Sequence, residues 1–219
     1  QLPDGTRIEA GLLSSKRASG NEDFVQFNGK GSTLWGNHAF STNFADQPVV
    51  LGAIQTLNNE TNQVPDVTSN PWLTTVFDSI TASGFRYALE RSEVYDRRAG
   101  NSSNYFFDGL SFAESIGYVA FSATAGSTFS TVGNLNVRFE AWTAVNAVKG
   151  WNDGCNQLVF NNAFSSAPIA LASKVSRRDA DGGWLRQCQL SNSSIGLLID
   201  EDTAQDNERS NGGESVSLV

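Results

Sequence analysis

Five short stretches of this chain occur twice, in the same order. "RIEAG" (7–11) returns as "RFEAW" (138–142), and "FVQF" (24–27) returns as "QLVF" (157–160). "FADQPVVLGAIQT" (44–56) returns as "FSSAPIALASKVS" (164–176), and "ITASGFRYALE" (80–90) as "LSNSSIGLLID" (190–200). "ESIGYV" (114–119) closes the series as "ESVSLV" (214–219). From the second pair onward the distance between partners shrinks along the chain, as it does when a second copy carries shorter loops. Loops tolerate such deletions far better than strands. An ordered repeat of this kind constrains the fold to a duplicated unit.

Each unit reads as β structure. "FRYALE" alternates Phe85, Tyr87 and Leu89 with Arg86 and Glu90, and "IGLLID" alternates Ile195, Leu197 and Ile199 with Gly196 and Asp200. Period-two alternation bounded by Asn, Ser, Gly and Asp clusters is the signature of half-buried strands. "SNPWLTTVF" carries a helix-start signal in Ser69, Asn70 and Pro71, but Thr74, Thr75 and Val76 favour a strand. The expected architecture is therefore all-β, with two tandem six-stranded antiparallel β-sandwich domains over residues 1–129 and 130–219. The longest insertion, 97–113, carries Tyr105, Phe106, Phe107 and Phe112, as a lid on the sandwich or a contact surface. "ESVSLV" stops in mid-alternation, so the second copy is expected to be truncated at its C-terminal end. "QLPDG" reads as a connector from a preceding copy.

The formal net charge is -8, with no basic stripe of the kind that displaces counterions from phosphates, so nucleic acid is not an expected partner. No apolar run reaches the roughly 18 residues of a membrane helix, so membrane insertion is not expected either. An acidic chain of this kind fits an extracellular or cell-surface setting. Cys155 and Cys188 are too few for a four-ligand zinc site and too far apart for a redox pair. They read as a structural disulfide of an oxidising compartment, with two buried free thiols as the alternative. The single histidine, His38, reads as a loop or edge residue. Sequons at Asn59, Asn101 and Asn192 matter where the host glycosylates.

The ordered motifs resemble the H-type lectin domain. The resemblance rests in the first copy on Ile8 to Gly11, Val25-Gln26-Phe27, Phe44 to Leu51, Ser83-Gly84-Phe85 and Ile116 to Phe121. In the second it rests on Phe139 to Trp142, Leu158-Val159-Phe160, Phe164 to Leu171, Ser194-Ile195-Gly196 and Val216 to Val219. "LPDGTRIEAG" is also similar to segments beside such domains in large bacterial pilus- or adhesin-associated surface proteins. The resemblance implies assembling sandwiches that bind sugars such as N-acetylgalactosamine near protomer boundaries. It assigns the family's Leu-Arg pair to Leu185-Arg186, with Thr74 at that place in the first copy. It assigns a loop carboxylate to Asp153, in Gly150 to Asp153. At the family's Trp-His pair this chain has Ser92-Glu93 and Asp202-Thr203, and Asp202 is counted with the sugar site.

Chemistry beyond binding has little support. The chain has no G-x-S-x-G, and no cysteine lies near the histidine in sequence, so it is not expected to be an enzyme. "DEDTAQDNE" offers Asp200, Asp202, Asp206 and Glu208 as ligands for calcium, which wants six to eight oxygens, or else as charges on a solvated hairpin. "DADGG" (179–183) imitates the start of a calcium loop and reads better as a hairpin turn. Among the tryptophans Trp35, Trp72, Trp142, Trp151 and Trp184, Trp151 beside Asp153 is the best placed to stack on a sugar. The expected function is an extracellular carbohydrate-binding or adhesion module that recognises glycans or glycoproteins through Trp151, Asp153, Arg186 and Asp202. The alternative is a self-associating repeat unit of a filament, pilus or adhesin stalk, without sugar binding.

Overall fold

The computed structural model describes residues 1–15, 18–19, 35–58, 73–90, 112–130, 136–178, 183–201 and 209–219. Among these the chain is all-β, with no α-helix. The strands are β1 (Ile8–Ser15), β2 (Ala18–Ser19), β3 (Gly36–Ala39), β4 (Val49–Ile54), β5 (Thr74–Thr81), β6 (Gly84–Glu90) and β7 (Glu114–Phe121). There follow β8 (Thr124–Ser130), β9 (Asn136–Val148), β10 (Asn156–Val159), β11 (Ala172–Lys174), β12 (Gly183–Leu190), β13 (Ser194–Glu201) and β14 (Glu214–Leu218). The stretch at Thr74 is thus a strand, as β-branched residues in sequence favour. The insertion 97–113 falls outside the described residues except for Phe112 and Ala113, and Phe112 is exposed.

The strands form small sheets whose orders match between the two halves. In the first half β7 lies between β1 and β4, and β6 pairs with β3 and β5. In the second half β14 lies between β9 and β11, and β13 lies between β10 and β12. These pairings are antiparallel. Two strands stand outside the matched set. The two-residue β2 adds parallel to β6, and β8, which the sequence counts with the first copy, pairs antiparallel with β9.

Alternation sends one side of each sheet inward. Phe77, Phe85, Leu89, Ile116 and Tyr118 form one core cluster, and Leu158, Phe160, Ile195, Leu197, Ile199 and Val216 form another.

The repeat extends to the side-chain hydrogen bonds that anchor the loops. Arg7 pairs with Glu9 at 2.7 Å and lies over the Phe44 ring, while Arg138 pairs with Glu140 at 2.5 Å and lies over the Phe164 ring. Glu9 accepts from the N–H of Ser41, and Glu140 from those of Asn161 and Asn162. Thr56 Oγ1 donates to Glu114 and accepts from the Ser115 N–H, and Ser176 Oγ does the same for Glu214 and Ser215. A buried carboxylate that collects several donors fixes the loop it reaches, because leaving it unpaired is costly.

One expected match is corrected by these anchors. The Phe160 N–H donates to the Ser193 carbonyl, and the residue that does this in the first half is Phe40, through Ser83. "NHAF", and not "FVQF", is therefore the partner of "QLVF"; residues 24–27 lie outside the described set. The same anchors move the counterpart of Arg186. Arg186 sits opposite Leu198 and Val76 opposite Ala88, and Leu198 and Ala88 stand equally far beyond Ser193 and Ser83. The equivalent position is thus Val76, not Thr74. Val76 is buried with Trp35 packed against it.

The halves meet through a buried ionic joint. Glu90 at the end of β6 is 2.5 Å from Lys174 Nζ and 2.9 Å from Arg177 Nε, and the three side chains are almost wholly buried. Val175 belongs to the first core cluster although it lies in the second half. The Gly52 N–H donates to Ser173 Oγ at 3.0 Å beside them.

Candidate functional site

The turn that carries Trp151 is positioned by backbone contacts on both sides. Residues Trp151–Asp153 form one turn of 3₁₀ helix after β9. The Ile199 N–H donates to the Lys149 carbonyl at 2.9 Å, which ties the start of the turn to β13. On its other side the turn is bonded to residues 209–211. The Gly150 N–H donates to the Asn211 carbonyl, the Asn152 N–H to the Arg209 carbonyl, and Asn152 Nδ2 to Ser210 Oγ. A Cβ on Gly150 would lie 2.3 Å from the Asn211 nitrogen, so only glycine lets the two backbones approach this closely. Asn211 is buried in turn and donates to Glu201 at 2.8 Å.

This arrangement lines up four side chains on one surface. The Arg209 guanidinium lies 4.1 Å from the centre of the Trp151 ring, which is a cation–π contact. The same guanidinium donates to Oδ1 of Asp200. Arg186 Nε is 3.6 Å from the other Asp200 oxygen. Asp200 sits opposite Trp184 in the strand pairing, so Arg186 is its diagonal neighbour on the same sheet face. Trp151 remains 49% exposed and the Arg186 side chain 58% exposed, so both face solvent.

Below the cluster the sheet is pinned by the expected disulfide. Cys155 and Cys188 are bonded, with Cα atoms 6.0 Å apart. The bridge passes over Gly196 of the central strand β13, where a Cβ would lie 2.4 Å from Cys155 Sγ. Closing 33 residues of chain in this way stabilises the fold by about 3–4 kcal/mol on loop-entropy grounds. It also fixes β12, and with it Arg186, against the segment that follows the Trp151 turn.

Trp151, Arg186 and Asp200 are thus gathered, and Asp153 is exposed on the Trp151 turn. Asp202, Asp206 and Glu208 lie outside the described residues. Asp200, expected as a calcium ligand, is instead engaged by two guanidinium groups, beside which a further cation would be repelled. No group of three potential metal ligands occurs among the described residues. Arg209 is the member that sequence reasoning missed. It follows the acidic stretch with no local motif, and its partners come from distant strands.

No known family model, curated protein or solved structure matches this chain. The site must therefore be read from its own geometry.

A second polar cluster occupies the first half. His38 Nε2 is 2.7 Å from the Tyr118 hydroxyl, and that hydroxyl donates to Glu9 at 3.3 Å. His38 lies on β3, an outer strand, in keeping with the edge position expected for it. Burial pushes the Tyr118 phenol up, the Glu9 charge and hydrogen bond add to this, and the result is about 12. Partial burial pushes the Glu9 carboxyl up, but hydrogen bonds from Ser41, Arg7 and Tyr118 outweigh it and hold the group below its ordinary value. In the second half Leu158 and Leu218 stand where His38 and Tyr118 stand in the first, both in the core. The Arg-Glu pair is common to both halves and serves the loop, whereas the His-Tyr pair is an addition of the first.

Proposed function

We propose that this chain is an extracellular glycan-binding module, built as two copies of one six-stranded antiparallel sandwich. The matched sheet orders and repeated loop anchors support the duplicated unit. One observation carries the binding reading: a half-exposed tryptophan held beside an Arg–Asp–Arg row on an open sheet face. The apolar face of a sugar ring packs on an aromatic ring, and an exposed guanidinium donates paired hydrogen bonds to hydroxyl or carboxylate oxygens. Asp200 holds both guanidinium groups in place, and Asp153, exposed on the turn that carries Trp151, offers a further acceptor. The disulfide, the acidic surface and the sequons are in keeping with an extracellular site.

A glycan array with the wild type, Trp151→Ala and Arg186→Ala tests this reading. Both residues are exposed, so the variants are expected to fold normally and to lose binding at least tenfold. Equal binding by all three would remove the cluster from any sugar site. The array run in a calcium chelator separates a metal-independent site from one that needs the acidic residues near Asp200.

A second reading is a structural repeat without sugar binding, favoured by the buried Glu90–Lys174–Arg177 joint. Such a joint fixes the orientation of neighbouring units, as a stalk or filament requires. Sizing and imaging of the native assembly tests it, and a chain that stays monomeric at all concentrations counts against it.

A further inference from the structure

Arg186 is placed differently from the arginines that hold the loops and strands. Arg7 gives its terminal nitrogens to the Asn43 carbonyl and to Glu9. Arg138 gives its own to the Ala163 and Asn162 carbonyls and to Glu140. Arg86 forms a two-pronged pair with Asp78. Arg186 has one polar contact among the described residues, from Nε to Asp200 at 3.6 Å. Its two terminal nitrogens are left to solvent, on a side chain that is 58% exposed. The fold does not need a charge at this position, because its counterpart Val76 is apolar and buried, with Trp35 packed against it.

Asp200 cannot neutralise both of its partners. One of its oxygens accepts from Arg209 and the other lies by Arg186. The Arg186–Asp200–Arg209 row therefore holds two positive charges and one negative. The chain as a whole carries -8, but at physiological salt a field between exposed charges is screened within about 8 Å, so the row acts locally. With Nε turned to Asp200, the terminal nitrogens of Arg186 present a planar edge with no acceptor. Such an edge matches the two oxygens of a carboxylate through two parallel hydrogen bonds. At the other end of the row Arg209 lies against Trp151, which is still 49% exposed. A ligand that uses both ends carries a carboxylate and an apolar ring face.

We infer that the site takes acidic glycans, with the carboxylate of a uronic or sialic acid on Arg186 and an apolar ring face on Trp151. This rests on the glycan-binding reading proposed above and names the class of sugar. Asp200 is a positioning residue, since it turns the free edge of Arg186 outward and holds Arg209 against Trp151. A neutral sugar would leave the surplus positive charge of the row without an anion. Hydrogen bonds between two charged groups are about twice as strong as those between neutral ones, so the carboxylate is the part of the ligand that this row rewards most.

An array that carries uronic-acid and sialic-acid glycans beside their carboxyl-reduced forms tests the inference, followed by calorimetry on the best-bound pair. The wild type is expected to bind the acidic member at least about tenfold more tightly, because reduction removes the charge-assisted pair. Which set is bound separates uronic from sialic acid. The preference is expected to shrink as salt is raised. Arg186→Gln is an exposed change, expected to leave the melting temperature unaltered and to bind both members alike. Arg186→Lys keeps the charge but loses the planar edge, and is expected to keep only part of the preference. Equal binding of both members by the wild type, or tighter binding of the reduced one, overturns the inference and leaves the glycan-binding reading standing. Binding of no glycan overturns both. A preference that Arg186→Gln retains in full overturns the placing of the carboxylate on Arg186.

Discussion

Replacing Glu90 by Gln keeps the shape of the side chain and removes its charge. In the joint Glu90 lies between Lys174 Nζ at 2.5 Å and Arg177 Nε at 2.9 Å, with the three side chains 0–3% exposed. The variant takes the Glu90 charge away from two buried cations at once. Losing one partner of a buried pair costs about 3–5 kcal/mol, and here one loss weakens two buried ion pairs. For a chain of 219 residues each kcal/mol shifts the melting temperature by about 2–4 °C, so Glu90→Gln is expected to lower it by roughly 6–20 °C. Lys174→Met is the control. It leaves Glu90 with Arg177 as a balanced pair and is expected to cost less than half as much. Melting followed by circular dichroism, at a concentration below any self-association, reads both shifts. If Lys174→Met costs as much as Glu90→Gln, the carboxylate is not the hub of the joint and the reasoning fails.

Gly196→Ala pushes a Cβ to within 2.4 Å of Cys155 Sγ and is expected to cost about 1–3 kcal/mol by overpacking. The cost should fall when Cys155 and Cys188 are both replaced by Ser, which a double-mutant cycle in urea measures. The Tyr118 phenol is expected to ionise near pH 12 when followed by ultraviolet absorbance. Because its folded value lies above the ordinary value of 10.0, the stability linked to it is present below pH 10 and is lost as pH rises towards 12. Glu9 has the opposite sign. Its folded value is depressed below 4.5, so its contribution is present at neutral pH and is lost as pH falls through the acid range. Glu9→Gln should therefore flatten the acid side of the stability profile.

The repeat was legible because its carriers are local. Arg7 and Glu9, like Arg138 and Glu140, are two residues apart, and the carboxylates that anchor loops begin strands β7 and β14. The alternation of Phe85, Tyr87 and Leu89 needs no partner to be seen. The match to "QLVF" was misplaced because "NHAF" shares only its phenylalanine; His38 stands where the second half has Leu158. Trp151 and Arg186 could be named from residue type and resemblance, but their neighbour Arg209 could not. The Arg209–Asp200 bond depends on how the segment 209–211 lies against the Trp151 turn.

By itself the sequence determined the all-β character, the duplicated order of strands and the two cysteines available for bonding. Each of these follows from side-chain period or from spacing along the chain, which short-range sterics and burial enforce. Only the tertiary structure decided that Glu90 meets Arg177 across 87 residues, and that Ser173 and Val175 are buried while their counterparts Ala53 and Gln55 are exposed. Those outcomes depend on how sheets stack. Stacking brings together residues with no fixed separation, and burial turns their charges and apolar surfaces from incidental into decisive.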